Sequence, residues 1–179
     1  MPLTRSLQRT TVVGALLFAV GFGLSGCVAA PTGRTAAATD RQIESVPGVE
    51  KASVSPSALL DGFTSRQIVM ITVTVSDGYH VGDADAAIVW LAREAWSVGP
   101  RRPGSMGVSL EDSSGKPLAW GWKAALAKRG WDVPLVDDDM ADGGNIIGLA
   151  NSRMTSLTGK NWHGSVPKTP ANLFVKNSS

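Results

Sequence analysis

His80-x-x-Asp83-x-Asp85 is the tightest grouping of chemically capable side chains in this 179-residue chain. An imidazole beside two carboxylates can hold a metal ion or move a proton near neutral pH. A second group, Asp137, Asp138, Asp139 and Asp142 ahead of Gly143-Gly144-Asn145, offers oxygen ligands at a density suited to calcium. The other histidine, His163, stands in Gly159-Lys160-Asn161-Trp162-His163-Gly164 with no local partner beyond the neighbouring Trp162. Each group also has a plainer reading. Asp83 suits a helix N-cap and Asp85 the positive end of the helix dipole, which leaves His80 alone in a loop. Aligned from Asp137, the loop of a helix-loop-helix calcium site would put Ala141 and Asp142 where a ligand and a glycine are needed, and Gly148 in place of the closing Glu. The acidic run therefore reads as a solvated turn. The chain has no Gly-x-Ser-x-Gly, Ser-x-x-Lys, His-Glu-x-x-His or phosphate loop, so no catalytic residue, metal ligand or cofactor is assigned.

The chain's single cysteine, Cys27, ends the run Leu24-Ser25-Gly26-Cys27. Arg5 and Arg9 precede an apolar stretch from Val12 to Leu24, too short for the roughly 20 residues that span a bilayer. This pattern resembles the lipobox of bacterial lipoproteins. The resemblance implies diacylglycerol on the Cys27 thiol, cleavage before it and acylation of the new amine, so that residues 1–26 are a signal peptide. Two or three acyl chains hold a protein durably on a membrane where one does not. The expected location is the extracytoplasmic side of the cell membrane. The Ala/Gly/Val-rich signal and moderate charge also resemble uncharacterised lipoproteins of high-GC Gram-positive bacteria, a likeness that implies no activity.

The whole chain has 17 Lys+Arg against 15 Asp+Glu, but Arg5 and Arg9 leave with the signal and the balance becomes even. No basic cluster of the kind that binds phosphate backbones is present, so nucleic acid is not an expected partner. Arg101-Arg102 reads as a solvated loop. A lone thiol reserved for lipid excludes an internal disulfide and thiol-based zinc sites.

Residues 27–39, rich in Ala and Thr without apolar periodicity, read as a flexible tether. A domain over 40–131 is expected to follow. Asp40 to Val46 suits a short helix with Asp40 as N-cap and Ile43 and Val46 on one face, stopped by Pro47-Gly48. Val49 to Ser55 reads as a strand, and Pro56 to Ser65 as a loop whose Leu59, Leu60 and Phe63 fold back onto the core. Gln67 to Ser76 alternates Val69, Ile71, Val73 and Val75 with Met70, Thr72 and Thr74, the clearest strand in the chain. Asp83 opens a helix with Ala84, Ala87, Ile88, Leu91 and Ala95 on one side and Arg93 and Glu94 outside that stripe. Ser105 to Glu111 is a third strand. A second long helix runs from Pro117 to Arg129, closed by Gly130 with Trp131 packed on Leu126. Residues 132–179, rich in Gly, Asn, Ser, Thr and Pro, are expected to form an irregular, partly disordered extension.

The order helix, strand, strand, helix, strand, helix predicts an α+β fold, a small αββαβα two-layer sandwich. Over roughly Asp40 to Trp131 this pattern resembles ferredoxin-like sandwiches and the ring-building modules of secretion and sporulation assemblies. Six Trp against one Tyr is a skewed use of aromatics. Trp90 lies off the apolar stripe, and Trp120 and Trp122 cannot point the same way on one helix, so Trp90 is the candidate for an exposed docking surface. Two functions are open at this level. One is a non-enzymatic, membrane-anchored binding or assembly module of the cell envelope, with an envelope protein, a glycan or a second copy as partner. The other is an envelope enzyme, metal-assisted in one version, using His80, His163 and the Asp137–Asp142 cluster.

Overall fold

The structure is a computed structural model that describes residues 33–61, 63–131, 147–159 and 163–178. Its elements run α1 (Ala36–Glu44), β1 (Val49–Asp61), β2 (Thr64–Val75), β3 (Tyr79–Val81), α2 (Ala84–Ser97), β4 (Ser105–Glu111), α3 (Trp122–Lys128), β5 (Ile147–Ala150), α4 (Asn151–Thr158) and β6 (Phe174–Lys176). The class is α+β, as the element order predicts. One mixed sheet has the order β1-β2-β4-β5, and β3 pairs with β6 in a separate two-stranded ribbon.

Register explains why the main sheet buries one face. β1 and β2 are antiparallel, β2 and β4 parallel, β4 and β5 antiparallel. These pairings line up Ala52-Val73-Leu110, Val54-Ile71-Val108 and Val69-Met106-Leu149 in rows across the strands, every member buried. Period-2 alternation in each strand thus becomes one continuous apolar face. Complete burial of each such side chain contributes about 1.5–3 kcal/mol. The expectation for Val69, Ile71, Val73 and Val75 holds: none is more than 2 % exposed.

α2 packs against this sheet and against α3 and α4. Asp83 caps it, its Oδ1 accepting from the backbone N–H groups of Asp85 and Ala86 at 3.0 and 3.1 Å. Beyond the expected stripe, Trp90, Ala92, Glu94, Trp96 and Ser97 are buried as well. Most of the helix circumference is enclosed, leaving Ala86, Val89 and Arg93 half-buried, and Glu94 lies against Arg34 rather than on an outer face. α3 ends as expected: the Trp131 N–H donates to Leu126 O at 3.1 Å and the Gly130 N–H to Ala127 O at 2.9 Å, with Gly130 at φ 70°. This is the paired closure that a left-handed glycine permits.

Several expectations change. α1 starts before Asp40, with Thr35 as its N-cap. Asp40 instead accepts from the Val54 N–H at 2.7 Å, and Glu44 accepts from the Ala52 N–H at 3.2 Å. Four residues of helix and two of strand both advance about 6 Å, so two carboxylates one turn apart meet two alternate N–H groups on the free edge of β1. That covers an edge which would otherwise invite pairing. β1 does not stop at Ser55 but continues through Pro56 to Asp61; an edge strand tolerates a residue without an N–H. α3 begins at Trp122, because Pro117 is tied to Glu111 in a bridge. The segment after Trp131 is not an irregular appendage: it provides β5 to the sheet, and Leu149, Met154, Leu157, Leu173 and Phe174 to the core.

Candidate functional site

Among the described residues, His80, Asp85 and His163 each bind a different neighbour. His80 is exposed on β3, its Nδ1 2.7 Å from Asn177 Oδ1. Asp85 binds Arg129 through both carboxylate oxygens at 2.6 Å, an arrangement that lowers the Asp85 pKa and raises that of Arg129. His163 is half-buried, with Nδ1 2.8 Å from the Trp96 carbonyl and Nε2 buried without a hydrogen-bond partner. Each imidazole is thus fastened to its own neighbour. Among the described residues no three His, Cys, Asp or Glu side chains cluster as metal ligands would. Cys27 and Asp137, Asp138, Asp139 and Asp142 lie outside the described residues.

Trp90 does not form a docking surface. It is 1 % exposed and belongs to the core, as do Trp96, Trp120 and Trp122. α2 contacts α3 and α4 as well as the sheet, so a position off the sheet-facing stripe is still interior. Trp120 precedes α3 rather than lying on it, which removes the conflict with Trp122.

Three parts build the surface that stands out instead. The first is the β1–β2 hairpin. β4 begins at Ser105 opposite Ile68, whereas β1 and β2 stay paired as far as Asp61 opposite Thr64. The hairpin therefore runs beyond the third strand as a two-stranded arm. At its end Leu60 is 77 % exposed and Phe63 fully so, and neither folds back onto the core as their apolar character predicts. The arm carries them past the end of the sheet, where no helix covers them.

The second part is the loop from Gly99 to Gly104. It is held to the base of the arm by the Gly104 N–H, which donates to Gln67 O at 2.7 Å, and by Gln67 Nε2, which donates to Val98 O at 3.3 Å. Gly99 stands at φ 82°, and a Cβ there would come within 2.2 Å of Gln67 Nε2, so only glycine lets the amide sit so close. Between arm and loop lies an open cleft of about 440 Å³ lined by Pro56, Ser57, Arg66, Gln67, Arg101 and Arg102 among others. Among the described residues its lining includes three arginines and no carboxylate, histidine or cysteine. The Arg102 guanidinium lies 5.9 Å from the centre of the Trp96 ring, which supports it from below by a cation–π contact. Such a cleft can hold an anion through guanidinium groups; it has no base to activate Ser57 or Ser65.

The third part is the point where the chain enters the domain. The Arg34 N–H donates to Ser97 O at 2.6 Å, and Arg34 O accepts from the Gly99 N–H at 2.9 Å. Arg34 thus belongs to the domain and not to a free tether. Its guanidinium pairs with the buried Glu94 at 2.6 Å and donates to Ala38 O at 3.1 Å.

Arg101 and Arg102 are exposed, as a solvated loop requires, and the pairing of β2 with β4 brings Arg66 to the same cleft, a link the sequence does not reveal. The exposure of Leu60 and Phe63 beside Arg66 has no signature in the sequence, where both read as core residues. No protein-family model, curated protein or solved structure matches the chain.

Proposed function

We propose that this chain is a membrane-anchored, extracytoplasmic lipoprotein acting as a non-enzymatic binding or assembly module of the cell envelope, with the arm and the cleft beside it as the binding surface. The observation that carries the binding assignment is the composition of that surface: a projecting apolar tip and three arginines, with no side chain able to act as a base or nucleophile pair. The lipobox at Leu24 to Cys27 supports the anchor. Among the described residues no helix is long and apolar enough to cross a membrane, which is compatible with a lipid anchor.

Radiolabelled palmitate fed to cells expressing the chain tests the anchor, and a photo-crosslinking residue placed at Ser57 tests the binding surface. The wild type should incorporate label and sediment with membranes, while Cys27→Ser should remain as precursor or leave the membrane. Membrane retention of a Cys27→Ser chain of mature length would refute the anchor. Absence of any adduct from position 57 under conditions that crosslink known envelope complexes would refute the binding surface.

A further inference from the structure

The exposed arm tip, the arginine cleft and the entry point of the chain lie at one end of the domain. Gly99 lines the cleft and its N–H donates to Arg34 O, so the first described residues, Gly33 and Arg34, lie beside the cleft. From Cys27 to Arg34 is seven residues, which span at most about 25 Å when fully extended. Three residues along β2 separate Phe63 from Arg66, about 10 Å at the rise of a strand.

We propose that the β1–β2 arm docks on an anionic lipid bilayer, with Phe63 and Leu60 entering the boundary between headgroups and acyl chains while Arg66, Arg101 and Arg102 lie among the lipid phosphates. This deepens the function proposed above, and the part of the argument drawn from tether length rests on the Cys27 anchor. The charge argument does not. Residues 56–67 and 99–104 together contain three arginines and one acid, Asp61, a net charge of +2. Clustered guanidinium groups are drawn to anionic lipid, and that attraction adds to the burial of apolar side chains. The backbone offset of about 10 Å between positions 63 and 66 is comparable to the depth that interfacial side chains reach, about 5–10 Å. A short tether leaving from the same end keeps that end toward the bilayer. A protein partner would need a broader complementary face than two apolar side chains on a narrow arm provide.

The test uses the full, acylated chain carrying Phe63→Cys, where position 63 is the one free thiol because the Cys27 sulfur is held by lipid. An environment-sensitive fluorophore is attached there, and the protein is reconstituted into vesicles of phosphatidylcholine alone or mixed with phosphatidylglycerol. The expected result is a blue-shifted emission, quenched by lipids brominated on their acyl chains, in the phosphatidylglycerol vesicles. Arg66, Arg101 and Arg102 all changed to Glu should abolish the shift, and raised salt should weaken it. Arg101→Glu alone, at an exposed side chain, should reduce it several-fold and serves if the triple variant fails to fold. A label that stays in water in both vesicle types while the protein remains attached overturns the docking and leaves the anchor standing. A label shielded equally in both vesicle types but not quenched by the brominated acyl chains overturns it in favour of a second copy or a protein on the arm. A chain that washes off phosphatidylcholine yet stays on phosphatidylglycerol vesicles with a shifted label supports the docking and removes the anchor; one that washes off both removes both.

Discussion

Arg34 Nη1 lies 2.6 Å from Glu94 Oε2, joining the first described turn of chain to the buried face of α2 across 60 residues of sequence. Glu94 is completely buried, and desolvation raises its pKa to about 7 against the opposing charge and hydrogen bond of Arg34. Its second oxygen has no hydrogen-bond partner. The pair fastens the place where the chain enters the domain, at a net electrostatic cost to the carboxylate.

Stability should therefore fall as pH rises from about 4.5 to about 7. Across that window the unfolded chain has released the Glu94 proton while the folded chain retains it, so folding binds a proton and loses free energy as protons become scarce. Above the folded pKa the two states carry the same charge and the penalty is constant, on the order of 3 kcal/mol at most. Urea titrations across this range on the wild type and Glu94→Gln check it: the variant should lose that part of the slope, and an unchanged slope would rule Glu94 out as its source.

Arg34→Met should destabilise most on the alkaline side. Removing the guanidinium strands an ionised, buried carboxylate, a change worth about 3–5 kcal/mol. Below the folded pKa Glu94 is already neutral, so the loss should shrink. Thermal melts at two pH values, one on each side of about 7, measure the difference.

Trp90→Ala and Phe63→Ser should behave oppositely. Emptying an enclosed indole site costs about 3–5 kcal/mol, whereas a change at a fully exposed side chain stays within about 0.5 kcal/mol. Chemical denaturation of the two variants decides it, and equal losses would mean that the arm tip is packed in solution.

A chain stopped after Trp131 should not fold. It lacks β5, leaving β4 as a bare edge, and it lacks Leu149, Met154 and Leu157, which complete the core around α2. Circular dichroism should show loss of cooperative unfolding, with aggregation expected from the uncovered strand. A cooperative melt like that of the full chain would confine the folding unit to the residues before 131.

Local pattern alone was enough for the elements whose residues agree with their own period. Val69 to Val75 reads as a half-buried strand because its alternation matches the pleat, and Asp83 and Gly130 mark helix ends because their preferences act within one turn. The α+β class follows from the order of those elements. What surrounds an element has no such signature. Trp90 and Glu94 look external on a helical wheel of α2 and are interior, since α2 packs on α3 and α4 as well as the sheet and Arg34 lies on Glu94. The partnership of Arg34 with Glu94, and of Arg66 with Arg101 and Arg102 around one cleft, joins residues far apart in the chain. Leu60 and Phe63 carry the apolar chemistry of a core, yet the length of the β1–β2 pairing relative to β4 leaves them in water. Periodicity records how a segment meets its nearest layer, whereas burial is the sum over every layer around it, and only the assembled chain contains that sum.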